Sequence, residues 1–155
     1  MKKSIVVIGA VFVAMPADAH WQFTRWGMTP AQVVAQSKAT LERVDPSSDT
    51  EMPYGTKEVS GTYDSSGRTL KASFWFKAGK LNRVNLSSED EDTCFSLRRD
   101  LVSVYGNAAS RSGGMIATNV WSDRSKGNRV QFSNWGTGGC SVIYSPLATG
   151  ASSGL

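Results

Sequence analysis

Alternating apolar and polar positions predict two series of strands in this chain. The clearest alternation is in residues 69–76, where Leu70, Ala72, Phe74 and Phe76 share one side of a strand and the residues between them share the other. Turn-forming residues separate neighbouring runs. The predicted strands are 58–63, 69–76 and 80–86 in the first half, and 116–121, 128–133 and 139–144 in the second.

Each series follows a segment with helical periodicity. The first helix is predicted to begin at Thr29 and Pro30 and to end near residue 42, before a loop at 45–56. The second has Ser88 as its predicted N-cap, with Glu91 at capping-box spacing, and Gly106 as its C-cap. Its predicted buried stripe is Cys94, Leu97, Leu101 and Val104.

This order of elements predicts an α+β fold, a tandem of two helix plus three-stranded antiparallel repeats with the helices packed on one sheet face. The predicted single domain spans residues 20–147, with repeats at about 20–87 and 88–147. The small polar segment 148–155 is predicted to be a disordered tail.

The first 19 residues are predicted to be a cleaved signal peptide. Lys2 and Lys3 precede an apolar run at 5–15, and Ala17-Asp18-Ala19 fits an A-x-A cleavage site. The apolar run is shorter than the roughly 20 residues needed to span a bilayer. We therefore expect a periplasmic or secreted protein whose mature chain starts at His20.

Charge and cysteine content fit that expectation. The chain has 17 basic and 13 acidic residues without a Lys/Arg run, which argues against a nucleic-acid partner. In an oxidising compartment, Cys94 and Cys140 are expected to form a disulfide. Two unpaired buried thiols are the alternative.

Familiar catalytic groupings are not evident in the sequence. His20 is the single histidine, so neither a copper-binding histidine brace nor Ser-His-Asp or Cys-His catalysis has its residues. The acidic run 89–92 could contribute oxygen ligands to calcium, but a helix N-terminus explains it better. We predict no catalytic residue, cofactor or metal ligand, although paired carboxylates of an envelope hydrolase remain an alternative.

Trp75 is the most suggestive candidate for binding. It lies on the predicted polar side of its strand, between Lys71 and Lys77, while Phe74 and Phe76 occupy the core side. Aromatic and cationic side chains on a sheet surface are typical of contact surfaces for proteins or glycans. Trp75, Lys71 and Lys77 are therefore the predicted partner-binding residues.

Two short patterns carry a family resemblance. The segment Trp26-Gly27-Met28-Thr29-Pro30-Ala31-Gln32-Val33 resembles the G-M-T-x-x-x-V helix start of outer-membrane-assembly lipoproteins. The second half is similar to exported proteins grouped with the β-lactamase inhibitor protein fold. The residues that carry this similarity are Tyr105-Gly106, Trp121, Val130-Gln131-Phe132 and Val142-Ile143-Tyr144. The resemblance implies tandem repeats of helices and antiparallel strands, with a sheet surface that binds other proteins.

Taken together, these features predict a non-enzymatic exported protein-binding domain without a cofactor. Its partner would be another envelope or secreted protein, for example an envelope enzyme that it inhibits or confers immunity against. A cell-wall or glycan-binding module is the second hypothesis, and the envelope hydrolase is the third.

Overall fold

One antiparallel sheet of eight strands dominates the protein, and a computed structural model describes it in residues 20–37, 40–46 and 52–148. A separate two-stranded arm, β1 (His20–Trp21) and β2 (Thr24–Arg25), precedes helix α1 (Pro30–Gln36). The next strands are β3 (Leu41–Arg43), β4 (Thr56–Ser65), β5 (Arg68–Lys77) and β6 (Lys80–Ser88). Helix α2 (Glu91–Tyr105) is followed by β7 (Ser110–Ser112), β8 (Ala117–Asp123), β9 (Asn128–Asn134) and β10 (Cys140–Pro146).

The strand order joins the two halves of the chain at the centre of the sheet. The order is β3-β4-β5-β6-β10-β9-β8-β7, so β6 pairs with β10 and the short strands β3 and β7 form the edges. In the central pair, Leu86 lies opposite Val142, and Asn85 lies opposite Ile143. The last strand therefore lies between strands from both halves.

Both helices contribute to a core on one side of the sheet, which we call the covered face. Val33 of α1, and Leu97 and Leu101 of α2, belong to the same buried cluster as Phe74 of β5 and Phe132 of β9. The alternation predicted for β5 is confirmed, because Leu70, Ala72, Phe74 and Phe76 are all buried. Burying these side chains supplies the main driving force for packing the helices on the sheet.

The predicted fold class, α+β built from two helix plus three-stranded repeats, is wrong. The sheet is continuous and dominates the structure, and each half contributes four strands to it. Residues 41–43, predicted to end the first helix, form edge strand β3, because the helix stops at Gln36 and Ser37 caps it. Residues 110–112, which lie outside the predicted strands, form the other edge strand, β7.

The helix starts agree only partly with the sequence pattern. Thr29 caps α1 and shares a capping box with Gln32, as the Thr-Pro start suggested. The N-cap of α2 is Asp90 rather than Ser88, since Ser88 is the last residue of β6. The buried stripe comprises Cys94, Leu97 and Leu101, whereas Val104, also predicted to be buried, is 70% exposed.

A disulfide joins Cys94 of α2 to Cys140 of β10, and this prediction is confirmed. The bond closes a sequence separation of 46 residues. Both sulfur-bearing residues lie in the core and are almost fully buried. The bond therefore ties the second helix to the centre of the sheet. The predicted signal peptide at 1–19, and all but the first residue of the predicted tail, lie outside the described residues.

Candidate functional site: the uncovered face of the sheet

The side of the sheet opposite the helices, which we call the open face, is mostly polar and basic. Ile143, Ser133 and Ser141 lie on this face near its centre and are buried. Strand register assigns its side chains, since residues that alternate with the core positions point away from the helices. Its basic side chains are Lys57, Lys71, Lys77, Lys80, Arg83 and Arg129, whereas its acidic side chains are Glu42, Glu58 and Asp64. Glu58 lies in the β4 bulge beside Lys57 and is ion-paired with Arg43. Glu42 lies on edge strand β3, and Asp64 lies near the end of β4. The centre of this face is therefore positively charged.

Small hydroxyl residues form one complete row across the open face. Apart from Lys71, every member of that row is serine or threonine. The row runs Thr62, Lys71, Ser87, Ser141, Ser133, Thr118 and Ser112.

Hydrogen bonds also run along β9 on this face. Arg129 Nη1 donates to Gln131 Oε1 at 2.9 Å, and Gln131 Nε2 donates to Ser133 Oγ at 3.2 Å. Ser133 Oγ in turn lies 3.3 Å from Thr118 Oγ1 on β8. These bonds fix the orientation of Arg129 and Gln131.

Trp75 lies on the open face as predicted, but a loop partly covers it. Its register neighbours are Lys57 on β4 and Arg83 on β6. Tyr54 packs against it with ring centroids 5.0 Å apart and ring planes at 79°. Trp75 is consequently half-buried.

The backbone of residues 52–55 fixes Tyr54 in that position. Gly55 has φ +113°, and a Cβ there would overlap the carbonyl group of Phe76, so glycine permits the close approach to β5. Asn82 Nδ2 donates to the Tyr54 carbonyl at 3.1 Å, and Lys77 Nζ donates to the Pro53 carbonyl at 3.4 Å. The predicted residue Lys77 therefore helps to hold the loop.

Lys71, the other predicted lysine, is exposed and forms an ion pair with Glu89 at 2.7 Å. It is four residues from Trp75 along β5, a distance of about 13 Å at the usual rise of a strand. The structure thus places Trp75, Lys71 and Lys77 on one face but does not bring Lys71 into contact with Trp75.

Two arginines that the sequence reasoning missed complete the site. Arg83 stacks its guanidinium on the Tyr54 ring, with Cζ 3.8 Å from the ring centroid. Arg129 lies on β9 in register with Ser145 of β10. We call Tyr54, Trp75, Arg83 and Arg129 the arginine–aromatic cluster. Each arginine alternates with core positions, such as Val84 or Val130, and that period-2 pattern was the available signal.

The charges of the arginine–aromatic cluster are poorly compensated. Burial lowers the pKa of Arg83, and the charge of Arg129 adds to that effect while Tyr54 opposes it. Neither Arg83 nor Arg129 forms an ion pair with an acid of the described residues. Both arginine residues are half-buried, so their positive charge is only partly screened by water.

Two buried polar atoms near this cluster also have no hydrogen-bond partner in the described part of the chain. They are Nε1 of Trp75 and Oδ1 of Asn85. Asn85 is two residues from Arg83 on the same side of β6 and lies opposite Ile143. A buried donor or acceptor left unpaired costs about 1–3 kcal/mol. Such atoms are uncommon, and their position here coincides with the unpaired arginines.

A cleft on the covered face is the alternative site. It has a volume of about 220 Å³ and lies between α2, the arm and the β4–β5 hairpin. Its phenols are Tyr63, Tyr105 and Tyr144, and burial raises the pKa of all three. They stay protonated at neutral pH and suit hydrogen bonding rather than proton abstraction. Its one acid among the described residues, Asp100, is ion-paired with Arg68.

The acidic run 89–92 stabilises the N-terminus of α2. Asp90 Oδ2 accepts a hydrogen bond from Thr93 N at 2.7 Å, and hydrogen bonds from Thr93 lower the pKa of Asp90. Glu91 and Asp92 occupy the first turn, where negative charge is favourable. Within residues 20–37, 40–46 and 52–148, no group of three or more His, Cys, Asp or Glu could hold a metal ion.

Comparison with known proteins finds no match for this chain among family models, curated proteins or solved structures. In the described part of the chain, no helix has the length and apolar character required to cross a membrane. The open face and its arginine–aromatic cluster are therefore the basis for the proposed function.

Proposed function

We propose that this chain is an exported, non-enzymatic protein-binding domain that contacts another envelope or secreted protein through its open face. The observation that carries the proposal is the arginine–aromatic cluster. Trp, Tyr and Arg are the residues that most often dominate the energetics of protein interfaces. Here they lie together on a sheet face that neither described helix covers. Inhibition of an envelope enzyme, or immunity against one, is the form of this function we favour.

Export is part of the same proposal. It is supported by the signal-like features of residues 1–19 and by the disulfide, which is typical of oxidising compartments. A protein–protein contact outside the cytoplasm also fits a surface rich in arginine and aromatic residues.

The geometry of the aromatic rings favours a protein partner over a glycan. Sugar rings stack best on flat, accessible aromatic faces, but Tyr54 and Trp75 lie at 79° to each other. The guanidinium group of Arg83 already covers one face of Tyr54. The hydrolase alternative needs two carboxylates in one cleft, and the covered-face cleft has only Asp100 among its described lining residues.

Site-specific photo-crosslinking in the cell that produces the protein tests the proposal. A benzophenone amino acid replaces Lys57, beside Trp75 on the open face, and in a separate variant Arg99, whose side chain is 69% exposed on α2. We expect a discrete protein adduct from position 57 and none from position 99. Equal adducts from both positions, or adducts from position 99 alone, would contradict the proposed surface.

Two tryptophan variants provide a matched control for that experiment. Trp75→Ala should abolish the position-57 adduct. Trp135→Ala should leave it unchanged, since Trp135 is 40% exposed at the end of β9 and lies outside the cluster. Co-sedimentation with peptidoglycan is measured in parallel, and pelleting that Trp75→Ala abolishes would favour the glycan hypothesis instead.

A further inference from the structure

We propose that Arg83 and Arg129 together form a receptor for one carboxylate group, which the protein partner presents on an aspartate or glutamate side chain. This inference rests on the proposed function, because it names the chemistry by which the open face recognises its partner. It adds two residues that the sequence pattern did not single out.

The register brings the two arginines close together. Val84 pairs with Tyr144, and Arg129 pairs with Ser145, so Arg83 and Arg129 lie on either side of the Ser145 position. In the free protein Arg83 lies against Tyr54 and Arg129 bonds to Gln131. Serine is small, and both arginine side chains are long enough to turn toward a carboxylate held above it. Burial and the neighbouring positive charge act together on Arg83. One anion between the two guanidinium groups would relieve their repulsion.

Most of the hydrogen-bonding capacity of both arginines is unused in the described structure. A guanidinium group has five N–H donors. Arg129 uses Nη1 for Gln131 Oε1, and Arg83 makes a cation–π contact with Tyr54. The planar fork of arginine matches the two oxygens of a carboxylate, and such pairs form strong, charge-assisted hydrogen bonds.

The two unpaired buried atoms favour a peptide carboxylate over a phosphate. Trp75 Nε1 needs an acceptor, whereas Asn85 Oδ1 needs a donor. Phosphate at neutral pH offers mainly acceptors, but a peptide segment carries both C=O and N–H groups beside its acidic side chain. Both atoms are covered in the free protein, so they can pair with the partner only after a neighbouring side chain turns aside.

The surrounding charges also favour an acidic partner. Lys57 extends the basic character of the cluster on the far side of Trp75. Of the acidic side chains of this face, Glu42 lies on an edge strand, Asp64 lies near the end of β4, and Glu58, beside Lys57, is ion-paired with Arg43. A partner with acidic side chains would be attracted to the centre of the face, and this attraction would weaken as salt is added.

Direct titration tests the receptor without knowledge of the natural partner. The probes are the blocked tripeptide acetyl-Gly-Glu-Gly-amide, its Gln counterpart and inorganic phosphate, added to the isotope-labelled mature protein at low salt. We expect saturable NMR shifts of the Arg83 and Arg129 side-chain N–H signals with the Glu peptide, with an affinity on the order of 1 mM. The Gln peptide should cause none.

Four variants give the titration its controls. Arg83→Gln and Arg129→Gln should each weaken binding of the Glu peptide by roughly tenfold or more. Arg129→Lys, which keeps the charge but loses the fork, should restore only part of the affinity. Arg99→Gln removes an exposed arginine of α2 and should have no effect. No saturable shift, or tighter binding of phosphate than of the Glu peptide, would overturn the carboxylate receptor.

The receptor and the proposed function can fail separately. If Trp75→Ala abolishes the crosslinked adduct while Arg83→Gln and Arg129→Gln leave it unchanged, the protein-binding surface stands and the receptor is wrong. If the Glu peptide binds as expected but no open-face position yields an adduct, the receptor stands and the proposed function is wrong.

Discussion

The two faces of the sheet differ sharply, and the neighbouring residues Phe74 and Trp75 illustrate the difference. Phe74 points to the covered face, is fully buried and belongs to the continuous apolar core. Trp75 points to the open face, is half-buried and has a buried N–H group without a partner. One strand thus contributes to a well-packed interior on one side. On the other side it contributes to a surface on which a buried polar group lacks a hydrogen bond.

The open face is where this protein departs from favourable packing. In the described residues, both buried side-chain atoms without a hydrogen-bond partner lie on the open face. The half-buried arginines without acidic partners lie there too. Stability alone would favour paired or apolar groups at those positions. Departures from locally favourable packing are expected at functional sites, and here they are concentrated on one face.

The largest expected effect comes from the covered face. Phe74→Ala should lower the free energy of unfolding by about 3–5 kcal/mol, because it removes a fully buried aromatic ring and leaves a cavity. Urea unfolding followed by circular dichroism measures the change. A loss below about 1 kcal/mol would mean that the core is not organised around β5.

Removal of the disulfide should have the next largest effect. Replacing Cys94 and Cys140 with alanine should cost about 2–4 kcal/mol, because the unfolded chain regains the freedom that the bond removes. Urea unfolding of the oxidised wild type and the double variant measures the difference. Equal midpoints for the two proteins would show that the link between α2 and β10 contributes nothing to stability.

Alkaline pH should act on the covered face through Tyr144. Burial raises the pKa of this phenol above its ordinary value near 10, so the folded state holds the proton more tightly than the unfolded state. Its contribution is complete below about pH 10 and declines as pH rises further. Relative to wild type, Tyr144→Phe should gain up to about 1 kcal/mol per pH unit above 10.

Urea unfolding of wild type and Tyr144→Phe between pH 8 and 11 provides that measurement. Above about pH 10, the stability of wild type should fall relative to that of Tyr144→Phe. Parallel curves across the whole range would indicate that the Tyr144 phenol is accessible to water in the folded protein.

On the open face, removal of an aromatic ring should have a smaller effect than on the covered face. Trp75→Ala should cost at most about 2 kcal/mol, less than the loss for Phe74→Ala, because the ring is half-buried and its unpaired N–H group is removed with it. The same unfolding assay measures both variants. Equal losses in the free energy of unfolding for these adjacent residues would show that the two faces contribute equally to stability.

The sequence predicted the strongly periodic elements well. The apolar alternation of β5 marked its buried side, and the helical spacing of Cys94, Leu97 and Leu101 marked the inner side of α2. The disulfide was predicted on a different basis, from two cysteines in an expected oxidising compartment. The predictions for β5 and α2 depend on side chains whose burial repeats with the period of the element.

The edge strands and the central site could not be predicted in the same way. β7 has the sequence Ser-Arg-Ser and is fully exposed, so no apolar alternation reveals it. β3 has a single buried residue, Leu41, which also fitted the helical pattern before it. The proximity of Arg83 and Arg129 depends on β10 lying between β6 and β9, and that order is set by tertiary packing rather than by local sequence.

The central position of β10 makes the integrity of the sheet depend on the end of the chain. Truncation before Cys140 would not trim an edge but would separate β3-β4-β5-β6 from β9-β8-β7. The strand groups β3-β4-β5-β6 and β9-β8-β7 are joined into one sheet only through β10. A proteolytic cut in the β9–β10 turn would therefore threaten the whole domain, whereas loss of β3 or β7 would shorten it.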